Sequence, residues 1–167
     1  LETSKVIIDG WLYTGDIGHI DEDGYLVITD RKKDIIVNSG GDNIAPQRIE
    51  GFLCLEQEIA QAMVYGDKHP HLVAVLIPDQ DWVKQWAKNN NTSHSLQTLY
   101  NQSNFHKAVS LAVSRVNAKL SNIEKIRHFL IGRELFSIKN KLLTPTMKIR
   151  RHMIIKLYGR ELENLYH

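Results

Sequence analysis

The chain has 167 residues, of which 43% are hydrophobic and 24% charged, and its formal net charge is +2. These values are typical of a globular protein and exclude a disordered one. The small net charge gives no indication of a nucleic-acid partner, and the longest apolar run, residues 72–77, is too short to cross a membrane. Cys54 is the only cysteine, so no internal disulfide can form, and we expect a reducing, cytoplasmic location.

The first 29 residues predict a β-hairpin. The "DEDG" at 21–24 separates "IGHI" from "YLVIT", and Gly24 can adopt the positive φ that such a turn needs. The chain opens "LETSKVIIDGW" without an initiating Met or a signal pattern. We therefore expect a piece of a longer protein, in which this hairpin packs against upstream sequence.

A charge cluster at 30–34, "DRKKD", follows the hairpin and precedes a short apolar strand at 35–37. Pro46 then suits the first position of a short helix. The apolar runs 59–67 and 71–79 are joined at "KHP" and predict an antiparallel pair of strands.

The second half of the chain predicts mainly helices. Asp79 or Asp81 can cap a helix, a polar loop follows at 88–95, and residues 105–120 fit a helix with a broad buried face. A strand at 125–132 and a helix at 150–166 complete the pattern. Because many strand partners are neighbours in sequence, we predict an α+β fold: a small mixed domain of antiparallel strands and packed helices.

Three short stretches have residue types that suit chemistry. "YTGD" places Asp16 after a glycine turn, where a carboxylate could hold a ribose diol, although spacing alone favours a capping or turn role. "DRKKD" and "SGGDN" combine phosphate-binding cations with a Gly pair that permits close backbone approach. Neither stretch is specific by itself, and a charge run seen alone favours a solvated connector followed by a Gly turn.

The third stretch is "LTPTMKIRR", residues 143–151. Pro145 restricts Thr144 to extended geometry, so we expect Lys148 on an ordered segment at the start of a helix. A lysine there can stabilise charge developing on a phosphate during transfer. The alternative is an exposed basic helix start, which the helix macrodipole disfavours unless an anion lies nearby.

Other chemistry is not indicated by the sequence. It has no "GxxxxGK[ST]", "GxSxG" or "HExxH" motif. We expect no metal site at His69 and His71, since no further cluster supplies the remaining ligands. Cys54 is expected on the apolar side of its helix, in a packing role.

Taken in order, these stretches resemble the adenylate-forming acyl-CoA synthetases. "GWLYTGDIGHIDEDGYLVITDRKKDIIV" (10–37) is similar to the segment where that family's large N-terminal domain ends and its small C-terminal domain begins. "SGGDNIAPQRIE" (39–50), "LTPTMKIRR" (143–151) and "LYGRELENLY" (157–166) are most similar to its long-chain fatty acyl branch. The resemblance covers essentially the whole chain.

The resemblance implies a two-step reaction in the longer protein. A fatty acid and ATP with Mg²⁺ give an acyl adenylate and pyrophosphate, and CoA then takes the acyl group and releases AMP. It also implies that residues 1–29 end the AMP-binding N-terminal domain, 30–34 form a hinge and 35–167 form a small mobile domain. The partners implied are this N-terminal domain, fatty acid, ATP and CoA.

Individual residues match the family's motifs. By resemblance, Asp16 binds the ribose hydroxyls, Arg31 contacts the nucleotide, Asp30 is the hinge, and Lys148 bridges the substrate carboxylate and phosphate during adenylation. Three further residues match the loop that acts in the CoA step: Gly40, Gly41 and Asp42.

One departure is the turn before "LTPT", which is usually acidic and Gly-containing in the family but here contains Lys139, Asn140 and Lys141. Because the family's Ser/Thr/Gly-rich ATP loop and acyl tunnel lie upstream, we expect this piece to be inactive alone. Two alternatives stay open. One is an adenylate-forming ligase for an aryl or amino acid. The other is a non-catalytic module whose basic end contacts anionic membrane or RNA through Lys139, Lys141, Lys148, Arg150, Arg151 and Lys156.

Overall fold

Strands and helices alternate along the chain. The structure, a computed structural model, describes residues 6–92, 95–99 and 102–167. The strands are β1 (Ile7–Ile8), β2 (Trp11–Leu12), β3 (Asp16–Ile20), β4 (Leu26–Arg31), β5 (Ile36–Val37), β6 (Asn43–Ile44), β7 (Ile59–Tyr65), β8 (Leu72–Pro78) and β9 (Ile126–Ile131). The helices are α1 (Pro46–Cys54), α2 (Gln80–Asn89), α3 (Leu96–Leu99), α4 (Ser103–Asn117) and α5 (Arg151–Glu163), after which Asn164–Tyr166 forms a 3₁₀ turn.

A three-stranded sheet with the order β7-β8-β9 is the centre of the fold. Strands β7 and β8 pair antiparallel, as the two apolar runs predicted. Strand β9 pairs parallel to β8, with Leu72 opposite Ile126 and Leu76 opposite Ile131. A parallel partner needs a long crossover, and the helices α2 to α4 provide it. The predicted α+β class is confirmed.

Strand β8 supplies hydrophobic side chains to both faces of this sheet, because successive side chains of a strand point in opposite directions. Leu72, Ala74 and Leu76 pack in one hydrophobic cluster with residues of α1, α2 and α4. Their neighbours Val73, Val75 and Ile77 pack in a second cluster with α5. All seven residues of the strand are buried, which explains its uninterrupted apolar sequence.

The helices begin where the local sequence favours it. Pro46 occupies the first turn of α1, and Asp79 caps α2 by accepting hydrogen bonds from the backbone N–H groups of Asp81 (3.0 Å) and Trp82 (2.9 Å). The predicted helix 105–120 begins two residues earlier and ends at Asn117. The predicted polar loop 88–95 begins within α2, and residues 93–94 of it lie outside the described residues.

The N-terminal hairpin forms as predicted, with β3 and β4 antiparallel. The carboxylate of Asp21 accepts hydrogen bonds from the N–H groups of Asp23 (3.1 Å) and Tyr25 (2.8 Å), and Gly24 has φ +87°. Residues 1–5 of the predicted N-terminal segment lie outside the described residues. Within the described ranges, no helix combines the length and the apolar composition needed to span a bilayer.

Candidate functional site

A cavity of about 590 Å³ lies where the hairpin meets the rest of the chain. Its walls come from three parts of the sequence: the β3–β4 hairpin, helix α1 with the turn before β5, and the segment 144–151. The residues lining it are Asp16, Ile28, Arg31, Asp34, Gln47, Glu50, Thr144, Lys148, Ile149 and Arg151. The cavity thus brings together three predicted site residues, Asp16, Arg31 and Lys148, of which the first and last are more than a hundred positions apart.

Asp16 and Arg31 are neighbours because of the hairpin register, in which they face each other on β3 and β4. Arg31 Nε lies 2.8 Å from Asp16 Oδ1. The backbone N–H of Asp16 donates to Thr14 Oγ1 at 3.1 Å, and Gly15 precedes it with φ +74°. An ion pair this exposed contributes little to folding, so its importance is that it presents a carboxylate and a guanidinium at the cavity wall.

Lys148 lies in a tight turn rather than at the start of a helix, because α5 begins only at Arg151. The turn is closed by hydrogen bonds from Thr144 N–H to Lys148 O (2.8 Å) and from Lys148 N–H to Thr144 Oγ1 (3.0 Å). Met147 adopts φ +62° at its corner, and Leu143 pairs with Ile149 across its base. The expectation of a helix start was wrong, but the expectation of an ordered segment is confirmed.

Glu50 and Arg151 form a buried ion pair beside this turn. Arg151 donates to both carboxylate oxygens of Glu50, each at 2.7 Å, and Glu50 Oε1 also accepts from the N–H of Val64 at 2.8 Å. The pair joins α1, β7 and the start of α5, and its carboxylate is the nearby anion that a basic first turn of α5 requires. It fixes the end of the segment that carries Lys148.

The sequence-based interpretation missed Glu50, although a signal was present. Glu50 is on the buried stripe of α1 with Pro46, Ile49 and Leu53. A carboxylate on an apolar helix face is seldom buried without a partner, so its position predicts a cationic side chain from another part of the chain beside it. Sequence alone offers no way to identify that cation as Arg151.

Gly40, Gly41 and Asp42 are outside this cavity. They form a turn between β5 and β6 in which Asn38 Nδ2 donates to Asp42 Oδ2 (3.0 Å) and Asp42 N–H donates to Asn38 Oδ1 (2.9 Å). Gly41 has φ +86°, a backbone conformation that residues other than glycine rarely adopt. The two groups of predicted site residues therefore lie on different parts of the surface.

Two other expectations concern Asp30 and Cys54. Asp30 is described by its backbone only, which pairs with Ile17 near the end of β4. Cys54 is exposed at the last residue of α1, so the expectation that it lies on the apolar side of its helix in a packing role was wrong. Within the described part of the chain, no group of three or more His, Cys, Asp or Glu residues is arranged to hold a metal ion.

Comparison with protein families gives a match over most of the chain. A family profile described as the C-terminal domain of AMP-binding enzymes matches residues 33–167. This range begins within the predicted hinge and extends to the last residue.

Curated relatives are similar over nearly the full length of the chain. It is 36% identical over 166 residues to a long-chain-fatty-acid–CoA ligase of Mycobacterium tuberculosis, covering 98% of this chain and 28% of that protein. It is 35% identical over 161 residues to long-chain-fatty-acid–CoA ligase 1 of Homo sapiens, covering 95% of this chain and 23% of that protein. The chain thus spans about a quarter of the length of these relatives.

Among solved structures, the adenylation domain of a carboxylate reductase from Mycobacterium chelonae is similar, with a TM-score of 0.81 and 24% identity. The match covers 99% of this chain and 25% of that one. At this identity, the similarity establishes the fold alone.

Proposed function

Because the chain belongs to the family of AMP-binding enzyme C-terminal domains, we propose that it is the C-terminal part of an ATP-dependent long-chain fatty acid–CoA ligase. In this proposal, residues 1–29 end the N-terminal AMP-binding domain, 30–34 are the hinge, and 35–167 are the mobile C-terminal domain. The identity of 35–36% to long-chain-fatty-acid–CoA ligases supports the choice of substrate class.

The observation that carries the proposal is the single cavity lined by Asp16, Arg31 and Lys148. In the first step, a fatty acid carboxylate attacks the α-phosphorus of ATP, and the bond to pyrophosphate breaks. Asp16 accepts hydrogen bonds from the ribose hydroxyls, and Arg31 contacts the nucleotide. The ammonium of Lys148 stabilises negative charge that develops between the carboxylate and the phosphate.

The second step uses another face of the domain. The CoA thiolate attacks the acyl carbon, the bond from that carbon to AMP breaks, and AMP leaves. Gly40, Gly41 and Asp42 are assigned to this step, and they lie away from the cavity with Lys148. A rotation about Asp30 would exchange the two faces in front of the N-terminal domain.

In this proposal, Mg²⁺ would bind as a complex with the phosphate oxygens of ATP. The cavity walls carry the carboxylates of Asp16, Asp34 and Glu50, which are suited to hard cations, but they are not grouped as a protein-only metal site in the described chain. We place the ligase in the cytoplasm, which the single cysteine supports. Contact of its basic residues with a membrane surface is part of the same proposal.

The test measures both half-reactions in the full-length protein. Lys148→Ala should slow palmitate-dependent ATP–pyrophosphate exchange by about 10²–10³-fold, as loss of one preorganised donor does. Thioester formation from supplied palmitoyl adenylate and CoA should be largely preserved. Lys139→Ala is the matched control, since Lys139 is exposed and lies outside this cavity.

Equal losses in the two half-reactions of Lys148→Ala would contradict the two-face arrangement. Exchange that depends on an aryl or amino acid instead of palmitate would favour the alternative ligases. Absence of any exchange, together with salt-sensitive binding to anionic vesicles or RNA, would favour the basic binding module.

A further inference from the structure

The turn at residues 66–71, between β7 and β8, contacts the predicted CoA-step loop. Ser39 N–H donates to His69 O at 2.9 Å, and Lys68 N–H donates to Val37 O at 2.7 Å. The carboxylate of Asp67 accepts from Val37 N–H at 3.1 Å. Three hydrogen bonds therefore fix the start of the Asn38–Asp42 turn to the 66–71 turn.

The other side of the 66–71 turn is held by the end of the chain. Glu163 Oε1 lies 3.3 Å from His69 Nε2 and accepts a hydrogen bond from Tyr65 OH at 2.5 Å. Tyr166 OH donates to His71 O at 3.1 Å, and its ring stacks on that of His69 at 4.0 Å and 13°. The chain end thus fixes both the backbone and the imidazole of this turn.

The hydroxyl groups of the two tyrosines remain hydrogen-bond donors over the neutral pH range. Burial, reinforced by the hydrogen bond to Glu163, raises the pKa of Tyr65 to about 12, so its hydroxyl stays protonated and donates. Burial also raises the pKa of Tyr166. The turn is closely packed at Gly66, where an added Cβ would lie 2.7 Å from Leu72 Cδ2 and 3.0 Å from His71 O.

We propose that His69, Glu163 and Tyr166 form a positioning cluster that sets the place of the Asn38–Asp42 turn for the CoA step. This inference rests on the proposed function of that turn. The cluster touches no reacting atom and acts only through the backbone of residues 37–39. Loosening it should therefore affect the thioester-forming half-reaction and leave adenylation, which uses the separate cavity, unchanged.

The experiment compares two glutamates of α5 in the full-length protein. Glu163→Gln keeps the size of the side chain but removes the charge that faces His69. We expect a fall of about 10-fold in kcat/KM for CoA, smaller than the roughly 10²-fold that a 1 Å misplacement can cost. Palmitate-dependent pyrophosphate exchange should not change. Glu161→Gln is the matched control, because Glu161 pairs with Arg133 away from the 66–71 turn.

A second variant separates positioning from folding. Tyr166→Phe keeps the stacked ring but removes the hydroxyl that donates to His71 O, so it should reproduce the CoA defect with an unfolding temperature close to that of the wild type. Unchanged CoA kinetics in both variants, or equal losses in the two half-reactions, would overturn the positioning role. A wild-type protein without either half-reaction would instead overturn the proposed function.

Discussion

The hairpin and the packed region around the central sheet both contain large apolar side chains, but in opposite environments. In the hairpin, Ile20, Tyr25 and Leu26 are 71%, 72% and 68% exposed, whereas Leu72 and Leu76 of β8 are fully buried. A contiguous apolar surface on a two-stranded hairpin is typical of an interface, since such a hairpin is marginally stable by itself. The comparison indicates that β8 is stabilised within this chain, while the apolar side chains of the hairpin stay exposed, as expected if it packs against the N-terminal domain of the proposed ligase.

The predicted chemistry is divided between the same two regions. Asp16 and Arg31 belong to the hairpin, and Lys148 belongs to the segment that leads into α5. Their shared cavity therefore depends on how the two regions are placed. In the proposed ligase, that placement is what changes between the half-reactions.

The largest expected difference comes from matched leucine truncations in this chain. Leu76→Ala should lower the free energy of unfolding by about 2–5 kcal/mol, because it leaves a cavity in a packed core. Leu26→Ala should change it by less than about 0.5 kcal/mol, as exposed positions usually do. Urea unfolding followed by circular dichroism measures both. Equal losses would mean that the hairpin shares the core's stability.

A substitution that restricts rotation between the two regions should have a smaller effect, and it should slow only one of the two half-reactions. In the full-length protein, Asp30→Pro fixes φ at about −65° at the proposed hinge. We expect roughly 10-fold slower thioester formation with pyrophosphate exchange preserved, because rotation about this residue is hindered.

Asp30→Ala is the control for this variant, since it removes the carboxylate but leaves φ free. Normal turnover in Asp30→Pro would remove Asp30 as the pivot. A defect of equal size in Asp30→Ala would assign the effect to the side chain instead.

Local sequence signals were sufficient to predict most of the fold. The DEDG turn, Pro46 and the cap at Asp79 act within a few residues, and the structure has the elements that they predict. Strand β8 was recognised from its continuous apolar run, which follows from burial on both faces. The parallel pairing of β9 was not predicted, because a crossover partner is not encoded by neighbouring residues.

The residues of the candidate site could be predicted from the sequence, but the contacts that hold them in place could not. Asp16, Arg31 and Lys148 could be named from motifs, and the structure places all three at one cavity. The ion pair of Glu50 with Arg151 joins positions a hundred residues apart, so only the three-dimensional structure reveals it. The turn at Lys148 was not predicted because its positive φ is at Met147, and a positive φ is normally recognised in a sequence from a glycine.

Mildly acidic pH should lower the stability of the packed region through His71. Burial, and then the charges of His128, Arg127 and His69, lower the pKa of His71 below its usual 6.5. The unfolded chain therefore binds a proton at higher pH than the folded chain, so this contribution to stability is complete above 6.5 and decreases as the pH falls through that value.

The expected loss is below about 1 kcal/mol, because His71 is only partly buried. Urea unfolding at a series of pH values should show a shallower pH dependence for His71→Gln than for the wild type. His167→Gln, at an exposed position, should not change the slope. An unchanged slope in His71→Gln would assign the acid sensitivity to other groups.

The smallest expected signal is ATP binding by this chain alone, and it tests whether the cavity between the two regions is sufficient for a nucleotide. Arg31 and Asp16 keep 55% and 27% of their side-chain surface exposed, so contacts to a phosphate or ribose compete with water. With few enclosing apolar walls to exclude that water, we expect a Kd weaker than about 1 mM, equivalent to about −4 kcal/mol. Titration calorimetry of ATP with Mg²⁺ into the chain measures this directly, and Asp16→Asn serves as the control for any heat observed. Micromolar binding that is lost in Asp16→Asn would show that the hairpin and the packed region form a complete nucleotide site without an additional domain.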